Sequence, residues 1–180
     1  IGVALKKQHM VNSAKVTGEY FGLEPGDRVL LCLSTGYIAG KMMLVRAMVL
    51  GLEIDFVAPT SRPLDGVTES YKFCAMVPLQ LESSINRLNQ IETVIVGGAP
   101  VSSQLRNLIK PCSTKVFETY GMTETITHVA VRPLNYTDTR SDHNSFDILP
   151  YISISQHDRK SLLINAPNIS YEPVNTNDIV

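Results

Sequence analysis

Between residues 28 and 119, short apolar runs alternate with segments of helical period, and this alternation constrains the fold more than any other feature of the chain. Val29-Leu30-Leu31-Cys32-Leu33 is apolar throughout, the pattern of a strand covered on both faces. Residues 37–50 are apolar almost all round, which predicts a buried helix. Glu53 to Ala58, Phe73 to Val77, Thr93 to Val96 and Lys115 to Thr119 read as further strands. Between them, Pro78 can open a helix with Leu81, Ile85 and Leu88 on one face. Ser102 can cap another with Leu105, Leu108 and Ile109, which Pro111 stops. Upstream, residues 10–22 predict a helix with Met10, Ala14, Thr17 and Phe21 near one face and Gly22 as its stop, before a turn at Pro25-Gly26-Asp27. Strands alternating with helices imply an α/β fold, a mainly parallel sheet covered by helices.

After residue 127 the pattern changes. His128 to Val131 and Tyr151 to Ser155 alternate, residues 136–145 are polar and turn-like, and Ser161 to Ile164 is another short strand. A smaller β-rich lobe is expected, giving an α/β core over residues 1–127 and a β-rich subdomain over 128–180. The chain opens in a strand-like run without an initiator Met and stops at Asn-Asp-Ile-Val, which reads as a central segment of a longer protein.

Composition narrows the classes. The 180 residues are 44% hydrophobic and 18% charged, as in a soluble globular protein. Sixteen basic and 17 acidic residues give a net charge of −1, so no broad attraction to nucleic acid or an anionic membrane is implied. No signal peptide and no apolar run of about 18 residues is visible, so no membrane insertion is expected and the cytoplasm is the default. Cys32, Cys74 and Cys112 form no C-x-x-C pair and lie near apolar runs, which reads as buried, reduced thiols.

Three short segments carry the chemistry. Thr119-Tyr120-Gly121-Met122-Thr123-Glu124-Thr125 follows the strand from Lys115, where open α/β sheets bind ligands. Tyr120 offers a flat face for a base, and Gly121 allows close backbone approach. The Thr123 hydroxyl can donate to a phosphate oxygen, and Glu124 is a hard oxygen ligand suited to Mg²⁺. The same residues equally suit an ordinary strand-to-loop turn. Val96-Gly97-Gly98-Ala99-Pro100 ends a strand and precedes a helix; two glycines there leave room for a planar ligand, although a tight connection explains them too. Thr176-Asn177-Asp178, taken alone, is a polar turn. The histidines at 9, 128, 143 and 157 have no metal-ligand spacing; His128 borders the motif, and the other three read as surface residues.

Together the three segments resemble the adenylate-forming superfamily of acyl-CoA synthetases, luciferases and peptide-synthetase adenylation domains. Tyr120 to Thr125 resembles its Y-G-x-T-E motif, Gly97 to Pro100 its adenine-binding G-G-A-P segment, Thr176-x-Asp178 its T-G-D motif and Ala166-Pro167-Asn168 the G-P-N before it. The resemblance implies ATP and Mg²⁺ as ligands and coenzyme A as co-substrate. It implies that Gly97, Gly98, Ala99 and Pro100 line the adenine, that Tyr120 stacks on it and that Asp178 binds the ribose. Thr123 and Glu124 become the catalytic pair, Thr123 on phosphate and Glu124 on the metal, with Gly121 and Met122 beside nucleotide and acyl group. It also implies a phosphate loop before Ile1 and a lid domain with a catalytic lysine after Val180, neither present in this chain. Asn177 replaces the usual glycine, Asn being the next most tolerant of left-handed backbone. Thr35-Gly36-Tyr37 stands where many members carry Phe-His.

Within that superfamily, Tyr120 to Thr125 with Thr127-His128, and Tyr37-Ile38-Ala39-Gly40-Lys41, look most like o-succinylbenzoate–CoA ligases of menaquinone synthesis. Such a substrate carries a second carboxylate, which requires a cation or several donors. Tyr37, Lys41, Arg46 and His128 are the candidate pocket residues. Lys41 and Arg46 are the only charges in an otherwise apolar helix, and each also reads as a side chain snorkelling at the helix edge. The implied activity is ATP-dependent activation of a carboxylic acid, then thioester formation. The alternatives are a synthetase or adenylation domain for another acid, and a nucleotide-binding module that makes no thioester.

Overall fold

The computed structural model describes residues 3–135, 145–156 and 160–179. Helix α1 (Lys7–Phe21) ends where Gly22 takes a left-handed conformation, φ 62°, and helix α2 (Ile38–Leu50) ends the same way at Gly51, φ 70°. The two helices cross at Gly18, where a Cβ would meet the Leu50 side chain inside 3.0 Å. The parallel strands are β1 (Arg28–Leu31), β2 (Glu53–Phe56), β3 (Tyr71–Met76), β4 (Ile91–Val96) and β5 (Lys115–Gly121). They lie in the order β2-β1-β3-β4-β5.

The unbroken apolar runs have a visible cause. Alternate residues of each strand enter two different cores. Leu30, Cys74, Val94, Val96 and Val116 face one layer with Leu81, Leu88 and Ile109. Val29, Leu31, Phe73, Ala75 and Ile95 face the other with Met43, Ala47 and the ring of Phe21. The first layer is built on α3 (Pro78–Ser83) and α4 (Ser103–Ile109), and Ser102 caps α4 by accepting the Leu105 N–H at 3.1 Å. The single helix expected across Leu81, Ile85 and Leu88 is two pieces. Ser84, at φ −103° and ψ 0°, interrupts it, and Ile85–Gln90 continues as a 3₁₀ helix that still buries Leu88.

Residue 128 marks a change of direction rather than a new sheet. β6 (His128–Pro133) and β7 (Asp147–Ile148) join the large sheet beside β5 by antiparallel pairing. The second sheet is β8 (Ser153–Gln156), β9 (Ser161–Asn165) and β10 (Val174–Ile179), all antiparallel, in the order β10-β9-β8. Thr176-Asn177-Asp178 is therefore strand, not turn, and Asn177 does not take a left-handed backbone. The small sheet packs on the helices: Leu162, Ile164 and Ile169 cluster with Ala14 of α1, Met42 of α2 and Ile126.

Cys32 and Cys74 are buried and free, as expected, and Cys112 is partly exposed. His9 is not a surface residue; it is buried, its ring edge-on to Tyr171 at 4.7 Å. His143 and His157 lie outside the described residues. No described helix is long and apolar enough to cross a membrane.

Candidate functional site

The carboxyl ends of β1, β3, β4 and β5 open into one cleft of about 270 Å³. It spans the point between β1 and β3 where the strand order reverses, the place where such sheets leave a crevice. Leu33 borders it from the end of β1, Met76 and Val77 from β3, Gly97 and Gly98 from β4, and Thr119 and Gly121 from β5. Ile38 and Ala39 at the start of α2 face it, and residues 122–123 and 126–128 close it.

The glycines here are sterically required. A Cβ on Gly97 would run into Thr119 Oγ1, whose hydroxyl donates to the Val96 carbonyl at 3.1 Å. A Cβ on Gly121 would lie 2.6 Å from the Cα of His128, on the neighbouring strand where the register slips. Gly98 sits at φ 83°, a left-handed conformation that suits glycine. Ala99 and Pro100 are exposed beyond it. A buried carboxylate that the sequence reading did not single out fixes this turn. Glu118 accepts the Val101 N–H at 3.1 Å and pairs with Arg106 of α4 at 2.5 Å and Arg132 of β6 at 2.6 Å. The available signal was a charge in phase with buried Val116 along β5.

The loop after β5 is held by Thr125, fully buried, whose hydroxyl accepts the Met122 N–H at 3.0 Å. Ile126, also fully buried, sits at φ 67°, a strained conformation for a β-branched residue. Together they leave Met122 and Thr123 on the cleft and Glu124 exposed. Among the described residues Glu124 makes no ion pair, and no cluster of three metal-ligating side chains occurs. One free exposed carboxylate fits an Mg²⁺ that arrives with phosphates and keeps several waters.

Tyr120 and Asp178 come together across the two sheets, the phenol donating to the carboxylate. Burial, together with that carboxylate, pushes the phenol up to about 12, so it stays protonated. Of the four candidate pocket residues, two line the cleft. Tyr37 is 75% exposed, and Lys41 is also exposed; neither borders it. Arg46 does not snorkel: it is 2% exposed, faces the cleft and donates to Thr127 Oγ1 at 2.9 Å. His128 is 5% exposed, with Nδ1 3.1 Å from the same Thr127 oxygen. Burial, with the Arg46 charge beside it, holds the imidazole down at about 3. Burial lowers Arg46 to about 10, still a cation at neutral pH.

Residues 2–148 match the family described as AMP-binding enzyme. The chain belongs to the AMP-binding enzyme family. Among solved structures, it is similar to an acyl-CoA synthetase (AMP-forming)/AMP-acid ligase II-like protein from Dyadobacter fermentans, at 36% identity and a TM-score of 0.89. The match covers 98% of this chain and 52% of that one, so this AMP-binding enzyme chain spans about half of that relative's length. It also shares its fold with the o-succinylbenzoate coenzyme A synthetase (MenE) from Bacillus subtilis in complex with ATP and magnesium ion. There the identity is 19% and the TM-score 0.80, over 96% of this chain and 39% of that one. With E. coli MenE bound to an analogue of OSB-AMS the identity is 20% and the TM-score 0.74, over 98% and 38%. No curated protein sequence matches the chain. For an AMP-binding enzyme, the mainly parallel sheet with helices on both faces and the added antiparallel sheet are the expected architecture.

Proposed function

We propose that the protein is an acid–CoA ligase that uses ATP to activate o-succinylbenzoate and then forms the coenzyme A thioester. The observation that carries the reading is convergence. The two stretches that resemble o-succinylbenzoate ligases are some eighty residues apart in sequence, yet Ile38 and Ala39 from one and Gly121, Met122, Thr123, Thr127 and His128 from the other line one cleft with Gly97 and Gly98.

In this reading the Gly97–Pro100 turn and Tyr120 take the adenine, and Asp178 on β10, which lines a second pocket beside the cleft with Tyr120, takes the ribose. The acid enters the apolar cleft. Its carboxylate is already ionised at neutral pH, so no general base is required for attack on the α-phosphorus as pyrophosphate leaves. That agrees with a cleft whose one histidine is held neutral and far below the general-base range. The chain's contribution is in-line positioning. Thr123 faces the phosphates with a hydroxyl donor, and Glu124 would hold the Mg²⁺ that neutralises phosphate charge. Coenzyme A thiolate then attacks the acyl-adenylate and AMP leaves.

ATP–pyrophosphate exchange by the full-length protein across a panel of acids tests the reading. Exchange is expected to be strongest with o-succinylbenzoate. Strong exchange with fatty or amino acids and none with o-succinylbenzoate overturns the acid and leaves adenylation standing; no exchange with any acid overturns both.

A further inference from the structure

Resting on the reading that this cleft is an adenylation site, we propose that Ile126 is a positioning residue: its side chain, locked in the core under the small sheet, holds a strained turn that sets Thr123 on the cleft. The turn is of an uncommon kind. Ile126 has φ 67° and ψ −53°, and across it the Thr127 N–H donates to the Thr125 carbonyl at 2.7 Å. This is the positive-φ form of the γ-turn, rare and strained for any side chain and more so for a β-branched one. Among the described residues, Tyr151 and Lys160 are the other non-glycine positions at positive φ, and both are exposed; Ile126 is fully buried. Such strain persists only where the surroundings enforce it. Here they are apolar: Ile126 clusters with Ala14 of α1, Met42 of α2, and Leu162 and Ile164 of β9. Relaxing φ to negative values would swing the side chain out of that cluster.

The turn fixes the rest of the loop through its backbone. The Ile126 N–H donates to the Thr123 carbonyl at 2.9 Å, and the Thr125 N–H to the Met122 carbonyl at 3.2 Å. The Thr125 hydroxyl, which accepts from the Met122 N–H, lies 2.8 Å from the Thr127 carbonyl. That carbonyl rests against Gly121, where a Cβ would stand 2.3 Å from it. The two ends of the 121–127 loop therefore close on each other through residue 126. A flip there would carry the Thr127 carbonyl off Gly121 and free the Thr123 carbonyl, on the residue that faces the cleft with its hydroxyl. Small misplacements of a positioning group are costly in rate, so a turn held by the core gives the loop one conformation before any ligand arrives.

ATP–pyrophosphate exchange kinetics and hydrogen exchange of the 122–127 backbone, both in the full-length protein, test the assignment. Ile126→Ala keeps the strain and loses the anchor, so the turn relaxes. Its kcat is expected to fall about 30-fold with KM for ATP within about threefold, and its Thr127 amide to exchange faster than in the wild type. Ile126→Gly loses the anchor too, but glycine accepts positive φ. It should keep kcat within about fivefold of the wild type and a slower Thr127 amide than Ile126→Ala. A merely structural role predicts the reverse order, because glycine is ordinarily the less stable replacement. Equal losses in the two variants, a larger loss in Ile126→Gly, or wild-type kcat in Ile126→Ala would each overturn the proposal. If Ile126→Ala does not fold, as a melting curve will show, Ile126→Val decides, since it trims the anchor by one methylene. Exchange of its Thr127 amide about fivefold faster than in the wild type supports the anchor, and an unchanged rate overturns it. A wild type that shows no pyrophosphate exchange with any acid overturns the activation reading, and the order of amide exchange among the variants then decides the anchor by itself.

Discussion

His128 shows how one side chain can serve a site by never titrating at working pH. It opens β6, is 5% exposed and lies beside a permanent cation. In the unfolded chain it returns to the ordinary value of 6.5, against about 3 when folded. The sign follows directly. Above 6.5 both states are neutral and the group adds no pH dependence. Between 6.5 and 3 the unfolded chain binds a proton that the folded one refuses, so stability falls as pH falls. The slope is about 1.4 kcal/mol per pH unit for one group. Urea unfolding at pH 7 and pH 5 should therefore show a drop in the wild type about 2 kcal/mol larger than in His128→Gln. Parallel losses in the two proteins would mean that the imidazole is not buried in its neutral form.

At the scale of elements, the Gly97–Pro100 turn, α4, β5 and β6 meet at Glu118. Its carboxylate is 7% exposed and satisfies a backbone N–H and two arginines from three different segments. Removing one member of such a buried group strands the others. Glu118→Leu should cost about 3 kcal/mol in urea unfolding, toward the low end because the arginines keep some contact with water. A loss below about 1 kcal/mol would show that the node is ornamental. This junction also marks where the sequence stops being readable. The strands and most helices were legible because apolar runs and caps are local signals: Ser102 caps α4 and Gly22 stops α1 as read. The convergence of Ile38 and Ala39 with Met122 and Thr123 was not, because it depends on strand order. Arg46 read more readily as a snorkelling side chain than as a pocket residue, since the contact that buries its head comes from Thr127 in the loop after β5, far away in sequence. β10 was missed because its one buried residue is the polar Thr176 and four of its six residues are exposed, so no apolar alternation announces it. The break at Ser84 was missed because Leu81, Ile85 and Leu88 keep a helical spacing that the 3₁₀ turn also satisfies.

The whole molecule has two sheets but shares its apolar interior between them. Leu162 and Ile164 of β9 pack with Ala14 of α1, Met42 of α2 and Ile126 of the loop after β5. That loop lines the cleft, so the small sheet backs the site rather than standing apart from it. The hydrogen bond from Tyr120 to Asp178 adds a polar link between the sheets at the proposed nucleotide end. A division into a 1–127 core and a 128–180 subdomain would then describe pairing geometry and not folding independence. The expectation is one cooperative transition. Ile164, fully buried, provides the test. Ile164→Ala should leave a cavity shared by both parts and cost about 2–5 kcal/mol of global stability. Fluorescence and far-ultraviolet dichroism should report coincident denaturation curves for the wild type and the variant, with the midpoint moved and the slope kept. If the small sheet were a separate unit, the variant would lose it first, and the two probes would part into successive steps with the larger sheet melting at its original midpoint.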